Sequence, residues 1–269
     1  MKKKLAAFAL ALILLSGCTN DPGNDPANTP GLSATPDITG EEFEPVDNPV
    51  PSPMDEAEPS PEPGANTPGP AAELPFAEAA LAEMPRGEEY LALHKSNPEV
   101  LGWITVPNTN IDYAAALTTD NEKYLHTTLL GEESKAGAIF FDYRTDKLLS
   151  GRHLILYGHN MKAGTMFHDL NSYKHKNFFE NNRIITLWAG SEKREYEVYA
   201  AYVATEDIYF IRMYFKDDAH FLDYMTGLQA LSKFSTDVEL TADDQILTLV
   251  TCTYEEDNAR FVVQARRVR

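Results

Sequence analysis

The stretch "LTLVTCTYEEDNARFVVQARRV", residues 247–268, decides the fold, because it holds two apolar runs rich in β-branched residues on either side of a short polar segment. Runs of this kind predict two neighbouring β-strands joined as a hairpin. Cys252 ends the first run and Arg260 begins the second. We therefore predict that the hairpin brings a thiol and a guanidinium close together.

The rest of the C-terminal region shows the same strand pattern. Five further short β-branched or aromatic runs are bounded by turn residues and predict a mainly β barrel or sandwich: LGWITVP, AGAIFFDY, HLILYGH, RIITLW and REYEVYAAYVA. Residues 76–100 instead have helical spacing interrupted by Pro85, which predicts one or two N-terminal helices. Apolar residues at i, i+3, i+4 and i+7 in residues 217–234 predict an amphipathic helix inserted between two strands.

The N-terminus, "MKKKLAAFALALILLSGC", has the layout of a secretory signal, with three lysines, an apolar run and small residues before Cys18. The apolar run is about half of the roughly 20 residues that span a bilayer. The small residues resemble the lipobox of bacterial lipoproteins. We predict that residues 1–17 are a lipoprotein signal peptide and that lipidated Cys18 anchors the protein at the extracytoplasmic face of the bacterial cell membrane. The alternative is an ordinary cleaved signal followed by a coincidental cysteine.

Residues 18–75 form a separate compositional zone. Fourteen of the 17 prolines fall there, and no Lys or Arg occurs between Leu5 and Pro85. Such a segment cannot bury enough apolar surface to offset its chain entropy, so we predict a disordered, acidic tether. A spacer with no spatial role is the alternative. Residues 76–269 are predicted to form one domain, large enough to hold a core.

The charge and the cysteine content of the chain limit the classes of function that it can have. The net charge is −18, and no basic stripe is available to neutralise phosphates, which argues against a nucleic-acid partner. The chain has two cysteines, so Cys252 has no intramolecular partner if Cys18 carries lipid. Cys252 is then either a small buried hydrophobe or a nucleophile. We expect neither a cofactor nor a metal site.

A cysteine nucleophile needs a proton-transfer partner and donors for an oxyanion. Among the seven histidines, His159 differs because it ends an apolar strand beside a glycine-containing loop, where catalytic groups are often presented. Arg260 is either a solvated edge charge or a donor to a carbonyl oxygen or oxyanion. Together with Cys252, these residues predict a thiol acyl-transfer site.

Four segments, taken together and in order, resemble the class B sortases: NPEVLGWITVPNTNIDY, YLHTTLLGEESKAGAIFFDYRTD, YGHNMKAGTMFHDLNSY and TLVTCTYEEDNARFVVQARRV. The resemblance covers about residues 88–269. It implies an eight-stranded β-barrel with N-terminal helices and a helix in the β6/β7 connection. It also implies that Cys252 is the nucleophile, that His159 transfers protons and that Arg260 orients the substrate or stabilises the oxyanion.

The resemblance further implies a cysteine transpeptidase that cleaves a C-terminal sorting signal after Thr through a thioester. The partners would be secreted proteins that carry this signal and an amine of a peptidoglycan precursor. The implied substrate contacts are Asn121, Leu125, Thr205, Tyr209, Phe210, Val250 and Thr251. The family commonly has Ser where this chain has Val250. A pilin-polymerising sortase and a non-catalytic, lipid-anchored binding protein stay open as alternatives.

Cys18→Ala should move the protein from the membrane fraction to the medium, because a diacylglycerol on Cys18 supplies the two acyl chains that stable anchoring requires. Cell fractionation followed by immunoblotting measures the distribution. Unchanged membrane retention of the variant would contradict lipidation at this cysteine.

Overall fold

The computed structural model describes residues 74–252 and 259–268, without the side chain of Cys252. The predicted signal peptide, the predicted lipidation site Cys18 and the predicted tether up to residue 73 lie outside the described residues. Within the described ranges, no helix is both long enough and apolar enough to cross a bilayer.

Short strands and few helices make up the described chain. The strands are β1 (Val100–Thr105), β2 (Asp112–Ala116), β3 (Ile139–Phe141), β4 (His153–Tyr157), β5 (Ile184–Ala189), β6 (Glu192–Ala204), β7 (Ile246–Cys252) and β8 (Arg260–Arg267). The helices are α1 (Glu78–Leu81), α2 (Gly87–Ser96), α3 (Lys123–His126), α4 (Lys176–Asn181) and α5 (Asp218–Gln229), and a 3-10 helix spans His168–Lys174.

The eight strands close into a barrel in the order β1-β2-β3-β4-β7-β8-β6-β5. The pairs β2/β3 and β4/β7 are parallel, and every other neighbouring pair is antiparallel. This confirms the predicted eight-stranded barrel, with two helices before it and α5 between β6 and β7. The strand patterns missed β2, whose sequence DYAAA is rich in alanine, a weak strand former.

Alternating side chains divide each strand between the barrel interior and an outer layer. In β4 and β7, Leu154, Leu156, Leu247 and Leu249 belong to the large interior cluster. On one side of the barrel, the outer faces of β6 and β8 pack against α5 through an apolar cluster that includes Phe221, Met225, Tyr199, Tyr202 and Val262. On another side, α1 and α2 cover Trp103 and Phe140.

Local signals explain where the inserted helix α5 begins. Asp217 is its N-cap residue and accepts a hydrogen bond from His220 N at 2.8 Å. A carboxylate at this position satisfies one of the amide groups that the first turn leaves unpaired. Phe221, Met225 and Leu228 then form the buried face of the helix. The amphipathic spacing in the sequence therefore predicted both the helix and its packing face.

The described chain contacts the barrel from its first residues. Leu74 is buried in the interior cluster, and Pro75 O accepts hydrogen bonds from the backbone N and the Oγ of Ser191 at 2.7 and 2.9 Å. Phe76 stacks on His94 with ring centroids 3.6 Å apart. The start of the domain at residue 76 stays a prediction.

Candidate active site

Three adjacent strands, β4, β7 and β8, carry the predicted catalytic residues at one end of the barrel. The parallel register of β4 and β7 pairs Tyr157, the last residue of β4, with Val250, so His159 follows β4 by two residues and Cys252 lies two residues after Val250. In the antiparallel pair β7/β8, Cys252 lies directly opposite Arg260. Neighbouring strands are about 4.8 Å apart. His159, Cys252 and Arg260 therefore lie at the ends of three neighbouring strands, and we call these three residues the catalytic row.

Two hydrogen bonds continue the contact between β4 and β7 past the end of β4. Gly158 N donates to Val250 O at 3.1 Å, and Thr251 Oγ1 donates to Gly158 O at 2.8 Å. Val250 and Thr251 are 3% and 2% exposed. These two predicted substrate contacts thus serve as buried supports that hold the chain at the residue before His159.

His159 is oriented by a main-chain carbonyl. Its Nε2 lies 2.9 Å from Leu125 O, and its side chain is partly buried. A carbonyl oxygen can only accept, so Nε2 carries the hydrogen of the neutral ring. Nδ1 is therefore the atom through which His159 accepts and releases a proton. Sequence analysis predicted a side-chain contact for Leu125 and missed this backbone role, which no side-chain pattern signals.

Arg260 lies where three strands meet. It pairs with Cys252 of β7 on one side and with Ala204, the last residue of β6, on the other. Its side chain is partly buried, and Nη1 donates to Ala259 O at 3.2 Å. Because β6 ends opposite Arg260, the long connection from β6 to β7 leaves the barrel beside the catalytic row.

The predicted contacts on the β6/β7 connection differ in exposure. Thr205 is partly buried and donates its hydroxyl to Asp207. Tyr209 is 54% exposed. Phe210 is partly buried and packs against the apolar cluster beneath α5. Tyr209 is therefore the member of this group with the most surface available to a ligand.

A buried carboxylate that sequence analysis missed lies beside β4, directly after the end of β3. Asp142 is fully buried, and both of its oxygens accept from Arg144, at 2.7 and 2.9 Å. Tyr157 Oη and Asn121 Nδ2 also donate to Asp142, at 2.9 and 3.2 Å. Burial alone would raise the pKa of Asp142, but the hydrogen bonds from Arg144 outweigh it and hold that pKa below its ordinary value.

Asn121 belongs to this buried group. Besides its bond to Asp142, its Oδ1 accepts from Tyr143 N at 3.0 Å. Both the nitrogen and the oxygen of the Asn121 side-chain amide, a predicted substrate contact, thus form hydrogen bonds within the protein. In the sequence, the segment DYRTD after β3 looks like an ordinary turn, so nothing there signals an ion pair that reaches across to β4.

His153 is a second buried polar group on the outer face of β4. Its Nδ1 lies 2.7 Å from Arg212 O, and its Nε2 lies 2.7 Å from Thr248 Oγ1. Burial lowers the pKa of His153 to about 4. The hydrogen bond to Arg212 O and the charge of Asp142 raise this pKa, but by less than burial lowers it. The ring is therefore neutral near pH 7, with Nδ1–H donating to the β6/β7 connection.

One cavity of the barrel lies away from this site. It is lined in part by Glu99, Thr118 and Tyr143, beyond the end of β3 that is remote from His159. Among the described side chains, no cluster of three or more His, Cys, Asp or Glu residues could hold a metal ion. The cavity and the catalytic row are therefore separate places on the barrel.

Comparison with known proteins agrees with the fold and with the predicted family. A family model described as the Sortase domain matches residues 104–268. Sortase B of Listeria monocytogenes is 36% identical over 183 residues, which cover 67% of this chain and 74% of that protein.

Solved structures give the same result. The crystal structure of Clostridium perfringens sortase B superimposes with a TM-score of 0.64 at 34% identity, over 66% of this chain and 99% of that one. A complex of Staphylococcus aureus sortase B with a substrate superimposes with a TM-score of 0.64 at 28% identity, over 71% and 93% of the two chains.

Gly158→Ala should destabilise the domain by about 1–3 kcal/mol, because the added Cβ would lie 2.5 Å from Ile139 Cδ1 and 2.7 Å from Phe167 Cγ in a packed core. Thermal unfolding measures the change. Gly151→Ala is the matched control, since its nearest neighbour would be Asp146 Oδ2 at 3.4 Å, an ordinary contact. Equal melting temperatures for the two variants would contradict the close packing at Gly158.

His153→Gln should weaken the pH dependence of stability between pH 6.5 and 4. In that window the unfolded wild-type protein takes up a proton on His153 that the folded protein excludes, so stability falls as the pH falls, by up to about 3 kcal/mol. Gln keeps a donor and an acceptor but does not titrate. Urea unfolding at pH 7, 5.5 and 4 measures this, and parallel curves for the two proteins would contradict it.

Proposed function

Since the chain belongs to the sortase family, we propose that it cleaves a C-terminal sorting signal after Thr and transfers the new carboxyl end to an amine of a peptidoglycan precursor. Membership makes the protein a cysteine transpeptidase. The family acts on sorting-signal substrates and cell-wall precursors.

The observation that carries the proposal is the catalytic row. A nucleophile, a proton carrier and a cation at the ends of three adjacent strands match the needs of acyl transfer. Cys252 is the nucleophile in this scheme, because a thiolate is the reactive form and neighbouring positive charge favours it. His159, oriented through Leu125 O, supplies the proton carrier, and Arg260 supplies the charge.

In the first half-reaction, the thiol of Cys252 gives its proton to Nδ1 of His159, and the sulfur forms a bond to the carbonyl carbon of the Thr. The carbonyl oxygen gains negative charge, which the guanidinium of Arg260 stabilises with several N–H donors. The C–N bond to the next residue then breaks, and Nδ1 of His159 gives its proton to the departing amine. A thioester on Cys252 and a free C-terminal fragment result.

In the second half-reaction, the amine of a peptidoglycan precursor attacks the thioester carbon. The C–S bond breaks, and the proton lost by the amine passes through Nδ1 of His159 to the sulfur of Cys252. Water can replace the amine, so hydrolysis is a side reaction. Both halves use the same groups in opposite directions, which restores the starting protonation state of the site.

The surface beside the row supports recognition of an extended peptide. The β6/β7 connection leaves the barrel opposite Arg260, and Tyr209 on it is 54% exposed, so this connection forms one wall of the surface. Val250 is buried, so it offers little direct contact to a substrate. Selectivity for the sorting signal therefore depends mainly on contacts with the β6/β7 connection, including Tyr209.

The cellular location is part of the proposal and rests on the sequence of the first 75 residues. A lipid on Cys18 would hold the enzyme at the extracytoplasmic face of the membrane. The tether would let the domain reach secreted proteins and cell-wall precursors as they emerge there.

Cys252→Ala and His159→Ala should each abolish cleavage of peptides of the Asn-Pro-x-Thr type, because the reaction then lacks its nucleophile or its proton carrier. Mass spectrometry should find a thioester adduct on Cys252 of the wild-type protein and none on Cys252→Ala. His175→Ala, at an exposed position outside the row, is the control and should keep full activity. Turnover by Cys252→Ala would refute the assigned nucleophile, and a wild-type protein without any adduct would favour a non-catalytic binding protein.

Arg260→Ala should lower kcat/KM by the equivalent of about 2.7–4 kcal/mol, the usual effect of removing one oxyanion donor. Arg260→Lys should restore little of this, because a point charge replaces a planar fork of donors. Steady-state cleavage measured by chromatography tests both variants. Full activity of Arg260→Ala would exclude the guanidinium from the transition state.

A further inference from the structure

An irregular segment of the β6/β7 connection, residues 208–215, lies over the outer face of the barrel, and we call it the strap. Its sequence, IYFIRMYF, is apolar and aromatic, yet it forms neither helix nor strand. Among the residues that the structure describes, its one main-chain to main-chain hydrogen bond is from Ile208 N to Thr205 O. Backbone groups that pack against protein need partners, so side chains must hold the strap.

Three side chains from three elements donate to carbonyls of the strap. Tyr224 Oη of α5 donates to Tyr209 O at 2.7 Å. Arg144 Nη2, from the loop after β3, donates to Ile211 O at 2.9 Å, and His153 Nδ1 of β4 donates to Arg212 O at 2.7 Å. The strap is therefore fixed to the barrel on one side and to α5 on the other.

Arg144 is itself fixed by Asp142. The guanidinium binds both carboxylate oxygens, and its side chain is 18% exposed while that of Asp142 is 0% exposed. A bidentate, charge-assisted pair of this kind fixes the direction of the guanidinium as well as its position. The remaining Nη2–H bond to Ile211 O therefore has a defined length and angle.

The same carboxylate reaches the strand of the catalytic histidine. Tyr157 Oη donates to Asp142 Oδ2, and Tyr157 ends β4 two residues before His159. Asp142 thus receives bonds from β4 and from Arg144, which in turn holds the strap. This chain of contacts fixes the distance between the wall of the proposed peptide site and the strand that leads to His159.

A second set of buried bonds holds His153 in its donor form. Thr248 Oγ1 donates to His153 Nε2 and accepts from Gln264 Nε2 at 3.2 Å. Gln264 Oε1 in turn accepts from Tyr199 Oη at 3.3 Å. Nε2 is therefore an acceptor, and Nδ1–H points to the strap. Four strands of the barrel contribute to this support.

We propose that Asp142 and Arg144 are positioning residues that set the affinity for the sorting signal by holding the strap at a fixed distance from the catalytic row. The inference rests on the proposed function for the identity of the ligand. Tyr209, the exposed aromatic residue of the wall, lies two residues from Ile211 and therefore moves with it. Neither positioning residue belongs to the catalytic row, so the chemical step should change less than substrate binding.

Arg144→Ala in the full chain should raise KM for an Asn-Pro-x-Thr peptide roughly tenfold, the scale of one lost charge-assisted hydrogen bond, while kcat changes less than about threefold. Arg144→Lys should lie between the wild type and Arg144→Ala, because it keeps a charge near Asp142 but loses the fork. Arg144→Lys also serves as the milder variant if Arg144→Ala does not fold.

Arg183→Ala is the matched control. Arg183 also pairs with a carboxylate, Glu197 at 3.0 Å, and donates to a main-chain carbonyl, Val198 O at 3.1 Å, with a side chain 23% exposed. It joins β5 to β6, away from the strap. A lower melting temperature with an unchanged KM is expected for this variant. If KM rose equally in Arg144→Ala and Arg183→Ala, the rise would be explained by a general loss of stability. That result would overturn the inference.

Hydrogen exchange of the strap separates this inference from the proposed function. Amide exchange in residues 208–215 should become faster in Arg144→Ala and stay as in the wild type in Arg183→Ala. Unchanged exchange in Arg144→Ala would overturn the positioning role, as would faster exchange with an unchanged KM. A third outcome is that exchange becomes faster in Arg144→Ala while the wild-type protein cleaves no sorting peptide. This outcome would support the role of Arg144 in holding the strap and would overturn the proposed function.

Discussion

The register between the parallel strands β4 and β7 is the constraint on which the rest of this molecule depends. Because side chains alternate along a strand, a shift of one residue would exchange Leu156 in the barrel interior for Tyr157 on the outer face. It would also break the bonds that Gly158 forms with Val250 and Thr251. The packing of the core and the alignment of His159 with the β7–β8 hairpin are thus set by the same pairing.

Closure of the barrel makes that pairing rigid. β7 and β8 each have a neighbour on both sides, so neither is an edge strand that could slide or fray freely. Cys252 and Arg260 of the catalytic row lie at the ends of these strands, where the backbone is still paired in the ladder. A thiol-based transpeptidase benefits from this arrangement, because its groups must stay in register while two different substrates enter and leave in turn.

Asp142, Arg144 and His153 are buried or partly buried polar residues that hold the strap. Their presence is explained better by the directions of their hydrogen bonds than by a gain in stability. A buried ion pair such as Asp142–Arg144 gains Coulomb energy but loses the hydration of both charges, so apolar residues of similar size are often as stabilising. Apolar side chains could not, however, donate hydrogen bonds to the carbonyls of the strap. The ion pair and the neutral His153 supply those donors in fixed directions, which ties an irregular segment to a regular barrel.

Local patterns in the sequence determined the strands with β-branched runs, the inserted helix α5, and the hairpin that sets Cys252 opposite Arg260, because each depends on residues close in the chain. Together with the quoted segments they were enough to identify the family. The alanine-rich strand β2 could not be predicted from the sequence, because it is extended only through its pairing with β1 and β3. Only the tertiary structure decided which elements become neighbours over long separations. It brought His159 beside β7, used the main chain of Leu125 to orient its ring, and joined Asp142 and Arg144 to the strap, because backbone carbonyls and distant partners leave no pattern in the order of the residues.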